Sequence, residues 1–180
     1  RRRWLGGVLG SVAVVALGYS MRSRSPAPTI TSTEPLRDGT SAGQRWSFKL
    51  YDIEVAFRWC PPGKFTMGSP TSEEDHRSDE AQVEVELTRG FWLQETQVTQ
   101  GMWESVMGTT PWKGQQYVKE GSKIAASYVN WNDAREFCEK LAASALQASV
   151  LSGNGKIVLP SEARWEYACR AGTSTAYSFG

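Results

Sequence analysis

The residues of this sequence best suited to chemistry are three cysteines, Cys60, Cys138 and Cys169, and a single histidine, His76. A thiolate can act as a nucleophile, bind a soft metal or form a disulfide, and an imidazole can carry a proton near neutral pH. Zinc sites are usually built from four Cys and His ligands, often with a Cys-x-x-Cys pair. No such pair occurs here, so the composition argues against a zinc site formed by this chain alone.

Cys169 lies in the stretch LPSEARWEYACRAG (159–172), which predicts a short helix. Ser161 is a suitable N-cap and Gly172 a suitable stop. Cys169 then falls in the last turn, on the same face as Trp165, where the negative end of the helix dipole disfavours a thiolate. We therefore predict a structural role for this thiol. In an exported protein, it could alternatively await a disulfide partner.

Cys138 is predicted to lie on the buried face of another helix, within VNWNDAREFCEKLAASAL. Asn130 or Asn132 would provide its N-cap. Apolar residues recur at i, i+3, i+4 and i+7, which makes one buried stripe of Ala134, Phe137, Cys138 and Leu141. On this stripe Cys138 would act as a small hydrophobic residue.

His76 lies in the hydrophilic stretch PTSEEDHRSDEAQ, which has five acids and one arginine. The prediction is a solvated surface loop with an exposed imidazole. A cation site would need carboxylates at a defined spacing around a turn glycine, and this stretch has no glycine. The sequence therefore favours neither a cation site nor a general base at His76. With the thiols assigned to structure, it predicts no catalytic, metal-binding or cofactor-binding residue.

The elements that would position these residues are short and mixed. Period-two alternation predicts strands at 46–50, 53–59, 64–68 and 83–88. A helix is predicted over 99–108, and residues 109–127 are predicted to be an irregular loop. The eight tryptophans fall at irregular intervals, which is typical of a fold stabilised by separate buried aromatic side chains more than by long regular elements. The predicted class is α+β with much irregular structure.

The first 24 residues form a candidate membrane segment. Three arginines precede eighteen uncharged, mostly apolar residues (4–21), and Arg22 and Arg24 follow. As a helix this run would be roughly 27 Å long, close to the thickness of the hydrocarbon core. Both an uncleaved signal anchor and a cleaved signal peptide fit, and either would place the folded domain outside the cytoplasm. Residues 25–45, rich in Pro, Ser, Thr and Gly, are predicted to be a flexible linker.

The charge of the remaining chain argues against nucleic acid as a partner. Five of the 20 basic residues lie in the first 24 positions, where there is no acid, which leaves 15 basic against 19 acidic groups. A folded domain with a net charge near −4 lacks the excess of basic residues that binds the phosphates of nucleic acid.

Four stretches, in order and spacing, resemble the formylglycine-generating enzyme family, also called sulfatase-modifying factors. They are PPGKFTMGS (61–69), FWLQETQVTQGMW (91–103), VNWNDAREFC (129–138) and LPSEARWEYACRAG (159–172). The resemblance covers about residues 55–180 and is to the N-terminal half of the family's domain. Residues 46–180 are therefore expected to form the N-terminal part of such a domain. The resemblance implies a variant of the C-type-lectin-like fold, truncated and preceded by the signal or transmembrane helix.

The same resemblance implies where the chemistry would be. Active family members oxidise a cysteine of a sulfatase to formylglycine with O2 and a copper ion held by two cysteines. That pair, and the calcium ligands, belong to the C-terminal half of the domain. None of Cys60, Cys138 and Cys169 matches the copper positions, and the position of Cys169 is a scaffold position. Copper and calcium are therefore expected only for a complete active member, and this chain alone is expected to be inactive.

The sequence departs from the family pattern in three places. Ala81-Gln82-Val83 stands where the family usually has Pro-x-His. The usual Thr-Glu-Ala-Glu-Trp is replaced by Ser-Glu-Ala-Arg-Trp (161–165). Ala126-Ser127-Tyr128 stands where a Pro-Val type entry to the segment at Trp131 is common. None of these bears directly on the chemistry. Two functions stay open. The first is an exported or membrane-anchored formylglycine-generating oxidase, active once the C-terminal half of the domain completes it, with a sulfatase or another exported protein as partner. The second is a non-catalytic, membrane-tethered binding module on the same fold.

Overall fold

The computed structural model describes residues 28–74 and 76–175. Six strands are followed by three helices. The strands are β1 (Ile30–Thr31), β2 (Arg45–Leu50), β3 (Ile53–Cys60), β4 (Gly63–Met67), β5 (Val83–Leu87) and β6 (Phe91–Gln94). The helices are α1 (Gln100–Met107), α2 (Trp131–Gln147) and α3 (Glu162–Arg170). The predicted α+β class with long irregular segments is confirmed.

The strands form two antiparallel sheets. The larger has the order β1-β2-β3-β6, and the smaller pairs β4 with β5. Leu50 pairs with Ile53 across a two-residue turn in which Tyr51 has a φ of 52°. This hairpin places the alternating apolar side chains of β2 and β3 on one face, where Phe48, Leu50 and Val55 are buried.

Helices α1 and α2 cover that face and complete the core. Met102, Trp103 and Val106 of α1 and Phe137 and Leu141 of α2 are all buried. The rings of Trp103 and Phe137 stack with centroids 5.4 Å apart. The predicted apolar stripe of α2 therefore faces the core, as expected from its spacing.

All three helices begin at the side chains predicted from the sequence. Thr99 accepts a hydrogen bond from the Met102 amide, and Ser161 accepts one from the Arg164 amide. Asn130 is the N-cap of α2 and exchanges hydrogen bonds with Asp133 in a capping box. These contacts satisfy amides that have no partner within the helix.

The irregular loop at 109–127 is organised by one buried amide side chain. Gln100, which is 3% exposed, accepts a hydrogen bond from the Gly121 amide and donates one to the Lys119 carbonyl, both at 2.8 Å. Its own backbone amide donates to the Ile124 carbonyl. The loop is therefore fixed by hydrogen bonds to the start of α1 and by an isolated antiparallel bridge between Thr99 and Ala125.

The flexible linker over 25–45 stays a prediction, but several described residues of this segment contact the folded domain. Ile30 pairs with Leu50 at the edge of the large sheet and is 7% exposed. The Leu36 amide donates to the Val150 carbonyl, and the Trp92 indole donates to the Arg37 carbonyl. Ile30, Leu36 and Arg37 are thus the points at which this segment meets the large sheet and the end of α2.

The predicted membrane segment at 1–24 lies outside the described residues. Among the residues that are described, no helix combines the length and apolar character needed to cross a membrane.

Candidate functional site

The three thiols lie on three different elements, and none is in a disulfide. Cys138 is buried on α2, and Cys60 is half-buried at the end of β3. Burial raises the pKa of both thiols above the ordinary value of 9.0, and the neighbouring Glu139 carboxylate adds to the shift at Cys138. Both are therefore protonated near neutral pH and are poor nucleophiles.

Cys169 lies on an exposed face of α3, and its predicted structural role stays a prediction. Trp165, on the same face, is 58% exposed. The spacing correctly placed the two residues together on the helix, but both side chains are exposed. Instead, Tyr167 packs against the sheets, with its ring 5.3 Å from that of Phe65.

His76 is half-buried and hydrogen-bonded, which corrects the prediction of an exposed imidazole. Its Nδ1 lies 2.7 Å from the Oγ of Ser69, and the same hydroxyl donates to Glu80 at 2.9 Å. A hydroxyl has one proton to donate. With the Ser69 proton donated to the Glu80 carboxylate, the Nδ1–H tautomer of His76 completes the second hydrogen bond. The three side chains link positions 69, 76 and 80 of the loop.

A second polar cluster attaches this loop to α3. Glu166 accepts the Gly68 amide at 2.9 Å, and Arg170 donates to the Gly68 carbonyl at 2.7 Å. The two side chains also form an ion pair at 2.8 Å, and each is 20% exposed. Sequence reasoning missed this clamp. The signal available was a Glu and an Arg at i, i+4 on the short helix α3.

An open groove of about 1300 Å³ lies beside the large sheet. One wall is formed by residues 89–98, which include strand β6, and the other by residues 153–160. Its floor is apolar and is formed by residues of the sheet and α2: Trp46, Phe57, Phe137 and Leu141. Arg164 and Trp165 of α3 close one end. Apolar walls with a few polar groups are typical of binding sites.

The charged side chains around this groove are mostly cationic. Arg89, Lys156 and Arg164 line it, and none of them forms an ion pair within residues 28–74 and 76–175. Arg164 lies over the Phe91 ring, 5.5 Å from its centroid. Glu95 also lines the groove, but it is already bonded to Arg45 and Arg58. Those two partners lower its pKa, with Arg58 the larger cause.

Residues 54–180 match the family described as the sulfatase-modifying factor enzyme 1-like domain. The chain belongs to the sulfatase-modifying factor family. The resemblance seen in the four sequence stretches is therefore confirmed, and it now extends over most of the chain.

Two solved structures share the fold of this sulfatase-modifying factor family member. PvdO from Pseudomonas aeruginosa matches with a TM-score of 0.62 and 25% identity, over 79% of this chain and 56% of PvdO. Variable protein 1 from Treponema denticola matches with a TM-score of 0.58 and 23% identity, over 74% of this chain and 59% of that protein. This chain thus spans less than two thirds of either structure. A comparison with curated proteins gave no match.

The copper and calcium ions implied by the family do not fit the described residues. Copper held by a cysteine pair would need two neighbouring thiols, whereas Cys60, Cys138 and Cys169 lie on separate elements and two of them are buried or half-buried. Residues 28–74 and 76–175 also contain no group of three or more His, Cys, Asp or Glu side chains able to hold a metal ion. No catalytic step can be assigned to these residues.

Proposed function

We propose that the protein is an exported or membrane-anchored member of the formylglycine-generating enzyme group, in which residues 28–175 are scaffold. Its architecture is the C-type-lectin-like variant of the family. Oxidation of a sulfatase cysteine to formylglycine would then depend on polypeptide outside the described residues, which would bring the thiol pair. Residues 1–24 would serve as a signal peptide or membrane anchor.

The family match over residues 54–180 is the observation that carries this proposal. The thiol environments agree with it. Burial keeps Cys60 and Cys138 protonated, which suits packing rather than redox chemistry. Cys169 is exposed on α3 and has neither of the other two thiols beside it on that helix.

An oxygen-consumption assay tests the proposal. The 180-residue chain is incubated with copper and a Cys-x-Pro-x-Arg peptide, and we expect no turnover above the protein-free background. Turnover that disappears in Cys60→Ser, Cys138→Ser or Cys169→Ser would overturn the scaffold assignment. The coding sequence after Gly180 gives an independent check, since a downstream pair of cysteines favours the oxidase.

The second candidate is a non-catalytic, membrane-tethered binding module. The specific observation in its favour is the groove of about 1300 Å³, which is apolar at its floor and cationic at its rim. A coding sequence without a downstream cysteine pair, together with binding of an exported protein, would favour this candidate over the oxidase.

A further inference from the structure

The β1 edge of the large sheet lies close in sequence to the candidate membrane segment. The Tyr51 amide donates to the Thr29 carbonyl at 2.8 Å, and Ile30 pairs with Leu50. The chain is therefore bound to the β2–β3 turn from Thr29 onward. The apolar run of the membrane segment ends at Met21, only eight positions before Thr29.

This short spacing limits how far the β2–β3 turn can lie from a bilayer that holds residues 4–21. Eight residues span at most about 29 Å when fully extended. The headgroup layer takes up about 5–7 Å of that length. A folded domain of about 150 residues has a radius of gyration near 15 Å and is roughly 35–40 Å across. Because the tether is shorter than the domain is wide, the turn cannot lie on the side of the domain farthest from the bilayer.

Tyr51 occupies a position in this turn that glycine usually takes. It is the first of the two central residues and has a φ of 52°. A side chain there carries a conformational cost that glycine does not incur. The Tyr51 side chain is also 42% exposed, so only part of it packs against the domain. Strained residues cluster at functional sites, and tyrosine is enriched where a membrane meets water.

We propose that the β2–β3 turn rests on the bilayer that holds residues 4–21, with the Tyr51 ring in the headgroup layer. The inference rests on the membrane-anchored form of the proposed function and adds the orientation of the domain. Lys49 and Asp52, close to Tyr51 in the chain, are both exposed and carry opposite charges. The contact therefore depends on the amphipathic ring and forms on zwitterionic lipid, without anionic headgroups.

Helix α3 lies at the opposite end of the large sheet from this turn. Its Tyr167 ring is 6.4 Å from the ring of Phe91, which pairs with Cys60 at the end of β3. Strand β3 begins at Ile53, next to the turn, and its seven steps of about 3.3 Å put Cys60 roughly 23 Å away. The exposed thiol of Cys169 on α3 is therefore a reference site far from the proposed contact.

Fluorescence quenching in phosphatidylcholine vesicles tests this orientation. A thiol-reactive fluorophore is attached to Cys169 of the parent chain, or to position 52 of Asp52→Cys/Cys169→Ser, which retains Tyr51. A fraction of the lipid carries a nitroxide quencher on its headgroup. We expect the label at position 52 to be quenched at least about threefold more strongly than the label at Cys169, because only position 52 lies at the headgroup layer. Equal quenching of the two labels would overturn the proposal.

Tyr51→Gly separates the contact made by the ring from the effect of the tether. Glycine suits the positive φ, so this variant should unfold at a similar urea concentration to the parent. Without the ring, quenching of the label at position 52 should fall at least about twofold. Trp165→Ala is the control, because it removes another exposed ring, at 58% exposure, from α3 and should leave the quenching unchanged. Quenching that is equally strong in Tyr51→Gly would show that the ring makes no contact and would contradict the proposal.

Alkaline carbonate extraction separates failure of this inference from failure of the proposed anchor. If carbonate releases the chain from the vesicles, residues 4–21 do not hold it in the bilayer, and both ideas fail. If the chain stays in the vesicles while the two labels are quenched equally, the anchor stands and the orientation alone fails. The same labels in the product of the complete coding sequence should show the same difference. Its loss there would mean that downstream polypeptide covers the turn, which also overturns the proposal.

Discussion

Glu166 accepts the backbone amide of Gly68 at 2.9 Å, although 98 positions separate the two residues in the sequence. Arg170 donates to the Gly68 carbonyl, so both backbone polar groups of Gly68 bond to one turn of α3. The clamp joins α3 to the end of β4 and to the loop that carries His76. It acts together with the packing of Tyr167 of α3 on Phe65 of β4.

Glu166→Ala is expected to lower the free energy of unfolding by about 1–3 kcal/mol, since it removes a charge-assisted hydrogen bond from a partly buried site. Glu139→Ala is the control, because Glu139 also forms an i, i+4 pair with an arginine, but its side chain is 67% exposed. That variant should cost about 0.5 kcal/mol or less. Urea denaturation measures both, and equal losses would contradict a special role for the clamp.

Gly68→Ala is expected to destabilise the fold by at least about 1–2 kcal/mol. Gly68 has a φ of 91°, and an added Cβ would lie 2.6 Å from the Glu80 carbonyl oxygen. Gly153→Ala is the control, because no atom lies within 4 Å of its added Cβ, and it should change stability by less than about 0.5 kcal/mol. If thermal melts show the two alanine variants to be equally stable, the left-handed turn at Gly68 does not matter for stability.

Gln100→Leu is expected to cost about 2–4 kcal/mol, because it leaves the Lys119 carbonyl and the Gly121 amide without partners next to a buried side chain. Hydrogen exchange at Gly121 should rise strongly in this variant. Gln115→Leu changes an exposed glutamine of the same loop and should leave the exchange rate of Gly121 unaltered. Protection that persists at Gly121 in Gln100→Leu would show that the loop is held by other contacts.

Local signals made the helices predictable. Thr99, Asn130 and Ser161 cap their helices through side-chain bonds that span only three residues, so sequence spacing alone contains the information. The β2–β3 hairpin was predictable for the same reason, since its alternation and its two-residue turn are both local.

Contacts between distant residues were not predictable. The spacing placed Trp165 and Cys169 on one face of α3 but contained no information about whether that face meets the sheets. Ile30 is ordered by Leu50, and Glu166 bonds to Gly68, across sequence separations where a single sequence gives no pairing signal. The groove depends on the same long-range arrangement, because its two walls lie about sixty residues apart in the chain.

Thiol labelling should distinguish the three cysteines. In the folded protein at pH 7.5, a water-soluble disulfide reagent should react with Cys169 first, because it alone is exposed. Cys60 and Cys138 should react only after urea unfolds the chain. Mass spectrometry of the labelled peptides identifies the sites, and Cys169→Ser should abolish the fast phase. A fast phase that survives in this variant would show that Cys60 or Cys138 is accessible in the folded protein.

The stability of the fold should fall in alkaline solution in a way that depends on Cys138. Burial raises the pKa of this thiol in the folded state above the ordinary 9.0, and Glu139 raises it further. Below the unfolded pKa both states hold the proton, so the contribution to stability is complete. As the pH rises past 9, the unfolded chain releases the proton first, and that contribution is lost. Cys138→Ala has no such proton, so its deficit in unfolding free energy relative to the parent protein should shrink between pH 7.5 and pH 10. Both proteins retain Cys60, whose effect cancels in the difference, and a deficit that stays constant across this range would show that burial does not hold the Cys138 proton.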